Sequence, residues 1–458
     1  MMRDDLKLFN DLVELLLTEE TQQPVAQPID TNDLYSTLDL SLGDHPALDS
    51  EFKASLRDII KSTPKTASTA FFNQLFGGRI SRATLGDLLA VMLNNSMYTY
   101  KVAGPQVGIE KTILHNICDR IGYGEHSDGT FAPGGSMSNF MAMVMARDRR
   151  VPNARNEGIL APMTIYTSEE SHYSIQKNAA LMGIGRDYVR FVKTNDAGEM
   201  LASDLEEQIK KDLNQGYLPF FVNATAGTTV LGAFDPLESI SKVCKTYDLW
   251  LHLDGAYCGG VIFSRRYCYL VRGIELTDSF SINAHKMLGT PLSCSIIVVQ
   301  DKKHLYESFS NDADYLYQTD GDDFNLGKTS IQCGRRNDAL KLWTLWKSVG
   351  TLGLEAIVDH QFQMAELARA YIKQHPDYTL YSEDTSISVC FNYKHIPAKL
   401  LCTELYKHAE LMVGFGTFRN DEFIRLVTIN TLLKEADLMK LFQTIESFVE
   451  NTLLINKT

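Results

Sequence analysis

A lysine and an aspartate follow two predicted β-strands that lie close together in the chain. Lys286 follows the β-prone run 278–282 through a polar turn, and Asp254 ends the strand candidate 249–254. A lysine amine can form a Schiff base with an aldehyde, and an aspartate can pair with a pyridinium nitrogen and keep it protonated. Each residue alone is more often an exposed charge or a salt-bridge partner. Together they have the chemistry that a pyridoxal phosphate site needs.

A glycine-rich turn at residues 131–139 opens a predicted helix. Gly134 and Gly135 let the backbone approach an anion, the first helical N–H groups point at it, and Ser136 adds a hydroxyl. This composition predicts a phosphate cradle, although such turns also occur without a ligand. The chain has no GxGxxG here, which counts against a dinucleotide site.

Three further positions carry polar groups next to predicted strands. His172 lies between a strand and a helix, where its ring could stack on a flat cofactor or simply cap the helix. The small-residue turn 225–229 could offer hydroxyl contacts or be only a tight turn. Arg425 lies inside an apolar run and must therefore be paired. Its partner is equally well a substrate carboxylate or an internal acid.

Short strand candidates alternate with helix candidates through the middle of the chain. This alternation predicts an α/β fold with a mainly parallel sheet that is flanked by helices on both faces. Ligands bind beyond the carboxyl ends of the strands in such sheets, and both Asp254 and Lys286 stand at such ends. The strand candidates are 164–167, 219–224, 249–254, 279–283 and 295–299, with helices at 171–181 and 236–247.

Apolar spacing and linker composition predict three segments. Residues 1–66 form an N-terminal helical segment, 67–350 a large cofactor-binding α/β domain, and 351–458 a small C-terminal α+β domain. The first segment starts with an amphipathic helix at 3–18 and leaves it through a proline-containing linker. That helix could pack on a partner subunit or, equally well, on its own chain.

Composition narrows the partners and the compartment. The net charge of −13 and the pI near 5.4 argue against nucleic acid or an anionic membrane as a partner. No apolar stretch is long enough for a membrane span. The eight cysteines form no CxxC pair and have no zinc-like spacing to histidine, so we expect no metal site. Free thiols indicate a reducing, cytoplasmic setting.

Six motifs in fixed order resemble the group II pyridoxal phosphate-dependent decarboxylases. Within that family they look like the branch of glutamate and cysteine sulfinate/aspartate decarboxylases, and the likeness runs from about Phe71 to Arg425. The resemblance implies a fold-type I homodimer with active sites near the subunit interface. The motifs are PGGSMSN, SEESHYS, NATAGTTVLGAFDP, HLDGAYCGG, NAHKMLG and QCGRRNDALKLW.

The resemblance also implies a role for individual residues. Lys286 would be the Schiff-base lysine, Asp254 the pyridinium partner, and His172 the ring that stacks over the cofactor. Tyr315, in a loop at 311–328 that would close over the site, would return a proton to the substrate's Cα. The cofactor-binding set would be Gly135, Ser136, His172, Thr229, Asp254, Ala256, Asn283, His285 and Lys286.

Substrate choice is implied by matches near the front of the chain. Arg425 would take the α-carboxylate, and the substrate-binding set would be completed by Gln74, Phe76, Ser96 and Tyr98. A phenyl group at position 76 would shorten the pocket and favour cysteine sulfinate or aspartate over glutamate. Met97 and the Ser68–Ala70 segment depart from the family pattern.

Other functions stay open at the level of sequence. They are a glutamate, diaminobutyrate or aromatic amino acid decarboxylase, an aminotransferase on the same fold, and a catalytically silent binding subunit. The first two classes differ in product, because only a decarboxylase releases carbon dioxide.

Overall fold

The computed structural model describes residues 2–311, 322–408 and 411–453. The chain divides into two compact units. The larger unit holds residues 79–365 and 382–388, and the smaller unit holds residues up to 78, residues 366–381 and residues from 389 onward. No helix in these described ranges is both long enough and apolar enough to cross a membrane.

The helices and strands of the described residues follow one another along the chain in this way. The α-helices are α1 (Met2–Gln22), α2 (Leu34–Thr37), α3 (Asp49–Ser62), α4 (Ser81–Leu93), α5 (Tyr100–Ala103), α6 (Gln106–Arg120), α7 (Gly135–Arg150), α8 (Ala154–Glu157), α9 (Ser174–Leu181), α10 (Ala202–Asn214), α11 (Leu237–Thr246), α12 (Lys303–Phe309), α13 (Ala339–Gln374), α14 (Ala398–Lys407) and α15 (Glu435–Phe448). The strands are β1 (Asp128–Ala132), β2 (Met163–Ser168), β3 (Val189–Val192), β4 (Leu218–Thr225), β5 (Trp250–Gly255), β6 (Ser279–Asn283), β7 (Ser295–Val299), β8 (Tyr378–Leu380), β9 (Ser388–Tyr393), β10 (Gly414–Phe418) and β11 (Asp421–Val427).

The larger unit is built on a seven-stranded sheet with the order β1-β7-β6-β5-β4-β2-β3. Strands β3, β2, β4, β5 and β6 run parallel, while β7 is antiparallel to both β6 and β1. Strands β5, β6 and β7 are buried along their whole length, as expected for a sheet covered by helices. The predicted α/β fold with a mainly parallel sheet is therefore confirmed.

The core of the larger unit lies between this sheet and helix α7. Met141 and Met145 of α7 pack in one cluster with Phe221, Trp250 and Ile297 from three different strands, and all five side chains are fully buried. Because α7 begins directly after the glycine-rich turn, this packing fixes the start of the helix against the ends of the central strands.

One helix prediction needs correction. The helix expected from Ser171 begins at Ser174, because the backbone N–H of Ser174 donates to His172 Nδ1 and the preceding residues form a turn. Helix α13 consists of two helical stretches that meet at a kink at Gly350, whose backbone is non-helical with φ 67° and ψ 178°.

The smaller unit contains a four-stranded sheet with the order β10-β11-β9-β8. Helices α14 and α15 belong to this unit, and so do α1 and α3, which contact each other. The Asn430 side chain donates to the carbonyl of Ser68, so residues from both ends of the chain meet within it. The division into three domains at 66/67 and 350/351 stays a prediction.

Candidate cofactor and active site

A cavity of about 220 Å³ lies in the larger unit where β4, β5 and β6 end and α7 begins. The ladder places Thr225 of β4 beside Asp254 of β5, and Asp254 beside Ser281 of β6, so the strand ends lie side by side. The residues lining the cavity are Gly135, Ser136, Asn139, His172, Tyr173, Thr225, Gly227, Thr229, Asp254, Ala256, Tyr257, Asn283 and Lys286.

Lys286 lies in the turn that follows β6. Its backbone N–H donates to the carbonyl of Asn283 at 3.0 Å, and the N–H of Gly289 donates back to the carbonyl of Lys286 at 3.0 Å. This turn directs the lysine into the cavity, where its charge helps to lower the pKa of His172. The structure therefore places Lys286 and Asp254 in one cavity, as the sequence predicts.

Asp254 is held by two N–H donors at the end of β5. Its Oδ1 accepts from the backbone N–H of Ala256 at 3.0 Å, and its Oδ2 accepts from Asn139 Nδ2 at 2.7 Å. The side chain is almost completely buried yet lines the cavity. Hydrogen bonds from N–H groups stabilise a carboxylate anion, which suits a partner for a pyridinium nitrogen.

His172 lies on the same cavity, in the turn between β2 and α9. Its Nδ1 accepts from the backbone N–H of Ser174 at 3.2 Å, and its ring centre is 4.2 Å from that of Tyr173. Burial lowers the pKa of His172, Lys286 lowers it further, and Asp254 opposes this. The imidazole ring is therefore neutral near pH 7, and a neutral imidazole can stack on a flat cofactor ring.

The start of α7 forms the floor of the cavity. A Cβ atom at Gly135 would lie 2.8 Å from Asn283 Nδ2 and 3.2 Å from the Cβ of Ala256, so a larger residue would force a neighbouring group to move. This close approach, with Ser136 next to it at the N-terminus of a 16-residue helix, has the form of an anion cradle.

The residues around the cavity fit pyridoxal phosphate. Among the described residues, the buried Oδ1 of Asn283 and Oγ1 of Thr225 have no hydrogen-bond partner, and both side chains line the cavity. A bound polar group would satisfy them. The cradle at Gly135 would hold its phosphate, Asp254 its ring nitrogen, and Lys286 its aldehyde.

His285 differs from the other cofactor residues of the predicted set, because it is not among the residues lining the cavity. Its Nδ1 accepts from the backbone N–H of Cys294 at 2.9 Å, and burial, reinforced by Lys286, lowers its pKa to about 4. The membership of His285 in the cofactor-binding set stays a prediction.

Sequence reasoning missed Asn139, Tyr173 and Tyr257 as cavity residues. A signal existed for Asn139, since it follows Gly135 by four positions and residues so spaced share one face of a helix. Tyr257 donates or accepts a hydrogen bond with Ser388 Oγ at 2.9 Å, a partner 131 residues away that no local pattern reveals.

Arg425 lies on β11 of the smaller unit, opposite Gly414 of β10. Its Nη2 donates to the carbonyl oxygen of Asn73 at 2.9 Å, and it lines a second cavity of about 260 Å³. The same unit holds Gln74 and Phe76, whose ring centre is 5.9 Å from that of Phe71.

The other predicted substrate residues, Ser96 and Tyr98, belong to the larger unit and are half-buried. The carbonyl of Tyr98 accepts from the N–H of Gly327 at 2.9 Å, and a Cβ atom at Gly327 would collide with the Tyr98 ring. Tyr315, the predicted proton donor, lies outside the described residues.

A parallel α/β sheet with a lysine and an aspartate at adjacent strand ends, above a glycine cradle, defines a pyridoxal phosphate enzyme of fold type I. The family model "Pyridoxal-dependent decarboxylase conserved domain" matches residues 32–394. The chain therefore belongs to the pyridoxal-dependent decarboxylases, and the cofactor and the carboxy-lyase class predicted from the sequence are confirmed.

Named relatives extend over most of the chain. Human cysteine sulfinic acid decarboxylase is 37% identical over 450 residues, which is 93% of this chain and 91% of that protein. Acidic amino acid decarboxylase GADL1 of Xenopus tropicalis is 34% identical, covering 96% and 92%. The crystal structure of mouse CSAD superposes with a TM-score of 0.91 at 34% identity, covering 97% of this chain and 99% of that one.

Proposed function

We propose that this enzyme removes the α-carboxylate of a short acidic L-amino acid. Cysteine sulfinate or aspartate leads, giving hypotaurine or β-alanine together with carbon dioxide, and glutamate is the alternative. The observation that carries the proposal is the single cavity holding Lys286, Asp254 and His172 in a chain that belongs to the decarboxylase family. The two curated relatives described above are named for acidic substrates.

The residues around the cavity divide the work of the reaction. Bound pyridoxal phosphate supplies an electron-withdrawing ring next to the substrate's Cα. Lys286 would hold the cofactor through its aldehyde, and Asp254 would hold the ring nitrogen in its protonated form. His172 would stack on the cofactor ring. Its imidazole is neutral near pH 7, because burial and Lys286 both lower its pKa. Tyr315 returns a proton to the Cα after carbon dioxide has left.

Substrate recognition rests on residues from the front and the end of the chain. Arg425 offers a guanidinium that already donates to a backbone carbonyl on one side, and this guanidinium is assigned the α-carboxylate. Gln74, Phe76, Ser96 and Tyr98 are assigned the distal acidic group. The Phe76 ring is proposed to limit the length of the substrate side chain, which favours aspartate and cysteine sulfinate over the longer glutamate.

The enzyme is proposed to work as a homodimer in the cytoplasm, with its active sites near the subunit interface. Helix α4 supports a dimer because it is packed on its own chain on one side and exposes apolar side chains elsewhere. On the packed side, a Cβ atom at Gly86 would lie 2.7 Å from the carbonyl oxygen of Leu340 in α13. Other positions of α4 leave large apolar side chains 42–56% exposed, namely Leu85, Leu88, Leu89, Val91, Met92 and Leu93. The eight cysteines are all free thiols, which suits a reducing compartment.

The test is carbon dioxide release by the purified protein loaded with pyridoxal phosphate, with the Lys286→Ala variant as a blank. Cysteine sulfinate, aspartate, cysteate, glutamate, diaminobutyrate and an aromatic amino acid are compared side by side. We expect a short acidic substrate to lead in kcat/KM by at least tenfold, or about 1.4 kcal/mol. A lead by glutamate favours the alternative, and a lead by a basic or aromatic substrate contradicts the proposal.

A further inference from the structure

A line of buried hydrogen bonds runs from the sheet of the larger unit to the carboxylate of Asp254. Trp250 Nε1 donates to Ser279 Oγ at 2.8 Å, and Ser279 Oγ lies 2.8 Å from His252 Nδ1. His252 Nε2 lies 3.1 Å from Asn139 Oδ1, and Asn139 Nδ2 donates to Asp254 Oδ2 at 2.7 Å. We call these residues the Asp254 chain.

Each hydrogen bond in the Asp254 chain can point in only one direction. The Asn139 amide nitrogen gives one hydrogen to Asp254 and the other to Ser174 Oγ at 3.0 Å, so its oxygen must accept from His252 Nε2. His252 Nδ1 then accepts from the Ser279 hydroxyl. Because indole is a donor only, Ser279 accepts from Trp250. Every hydrogen in the chain therefore points toward Asp254.

Burial keeps this arrangement fixed. The side chains of Trp250, Ser279, His252 and Asn139 are at most 1% exposed, so water does not compete for their hydrogen bonds. Burial also lowers the pKa of His252 to about 4, which leaves the ring neutral with a single proton. Hydrogen bonds in such a low-dielectric interior polarise one another and act as a unit.

Asn139 also connects the two sides of the cavity. The hydroxyl of Ser174, to which it donates, belongs to the residue whose backbone N–H donates to His172 Nδ1. One amide on the cradle helix α7 thus holds Asp254 directly and touches the turn that carries His172.

We propose that Asn139 and His252 are positioning residues that hold the Asp254 carboxylate facing the cavity, so that it can bind the cofactor's ring nitrogen. The carboxylate accepts a hydrogen bond at each oxygen, from the Ala256 N–H at Oδ1 and from the Asn139 amide at Oδ2. Removing the Asn139 side chain leaves only the hydrogen bond from Ala256, so the Asp254 carboxylate can rotate. Removing the His252 donor leaves the Asn139 amide held only through its nitrogen, which weakens its hold on Asp254. This inference depends on the cofactor of the proposed function and on none of its substrates.

The experiment compares two cofactors that differ only at the ring nitrogen. Apo protein is titrated with pyridoxal phosphate and with its 1-deaza analogue, in which carbon replaces the nitrogen, and both dissociation constants are measured. The preference is the ratio of the two dissociation constants, and in the wild type it should favour pyridoxal phosphate. The Asp254→Ala variant gives the ratio that remains without the carboxylate. We expect Asn139→Ala and His252→Leu to reduce the wild-type preference by about tenfold, as for other residues that orient a binding side chain.

Two variants separate positioning from general damage. His252→Gln keeps an N–H donor near the position of Nε2 and should retain most of the preference. Asn392→Ala removes a buried amide of the smaller unit, which donates to the carbonyl of Ile396 at 2.9 Å, and should leave the preference unchanged. If Asn139→Ala weakens both cofactors equally, or neither, the inference is wrong. If Asn139→Ala does not fold, His252→Leu decides by the same criterion. Failure of the substrate panel with an intact preference would overturn the proposed function alone.

Discussion

Replacing Gly135 by alanine should weaken pyridoxal phosphate binding with little effect on the fold. The added Cβ would lie 2.8 Å from Asn283 Nδ2 and 3.2 Å from the Cβ of Ala256. Ordinary contacts are about 3.5–4.0 Å, so the overlap is roughly 0.3–1.2 Å. The Cβ of Ala256 is fixed on the backbone that follows β5, whereas the Asn283 amide is the end of a side chain and can turn away. Either the start of α7 or the Asn283 amide must therefore move.

The size of the effect follows from the cost of overpacking, which is about 1–3 kcal/mol. Movement of α7 or of Asn283 would displace groups that are assigned to the cofactor, so we expect this cost to fall on cofactor binding. It corresponds to a dissociation constant raised roughly 5- to 150-fold. Since Gly135 does not have a positive φ, alanine is compatible with its backbone and the unfolding free energy should change less.

The assay is titration of the apo variant with pyridoxal phosphate, and in parallel with pyridoxal, which lacks the phosphate. We expect the loss for the phosphorylated ligand only. Gly108→Ala is the matched control, because Gly108 lies within α6 with open space around its Cβ position. It should leave cofactor affinity unchanged and add up to about 1 kcal/mol of helix stability. Unchanged affinity of Gly135→Ala for pyridoxal phosphate would refute the cradle assignment.

Three other predictions concern single groups. Lys286→Ala should abolish turnover, and borohydride reduction should no longer attach the cofactor to the peptide carrying position 286; steady turnover would refute the role. Burial lowers the pKa of His252 from 6.5 to about 4, so as the pH falls the unfolded chain takes up the extra proton before the folded chain does. The free energy of unfolding therefore has its full value above pH 6.5 and decreases as the pH falls from 6.5 to about 4. Urea unfolding of the wild type should show a total decrease of roughly 3 kcal/mol in the free energy of unfolding. The decrease with falling pH should be smaller in His252→Gln, and parallel curves of unfolding free energy against pH for the two proteins would contradict the prediction. Glu110→Gln leaves the buried Arg335 guanidinium without its carboxylate and should lower the unfolding free energy by about 3–5 kcal/mol. Replacing both partners by leucine and methionine should recover most of that loss, and a cost below about 1 kcal/mol for Glu110→Gln would show that the pair is dispensable.

The centre of the site could be predicted because its residues end strands with strong local signals. Strands β6 and β7 begin and end where their apolar runs do, and Asp254 and Lys286 follow from strand ends and a polar turn. Local pattern does not record pairing partners, so the antiparallel direction of β7 was not predictable from its residues.

The remaining features depend on contacts between distant residues. The start of α9 is shifted because a side chain, His172, takes the N–H of Ser174. The Asp254 chain joins residues up to 140 positions apart, from Asn139 to Ser279, and only the folded sheet brings them together. Arg425 was expected to be paired, but its backbone partner at Asn73 lies 352 positions away.

The order of the large sheet has a consequence for biosynthesis. Strand β1 stands at the sheet edge and pairs with β7, whose last residue follows the end of β1 by 167 positions. At about 5–20 residues per second, a ribosome needs roughly 8–33 s to make that stretch. During this time the newly made β1 has no partner strand, and the residues that line the cavity next to the cradle have not all been made. Because the residues that line the cavity extend to Lys286, we expect the cofactor to bind only after Lys286 has emerged from the ribosome, and a chain that ends before Lys286 should not retain it.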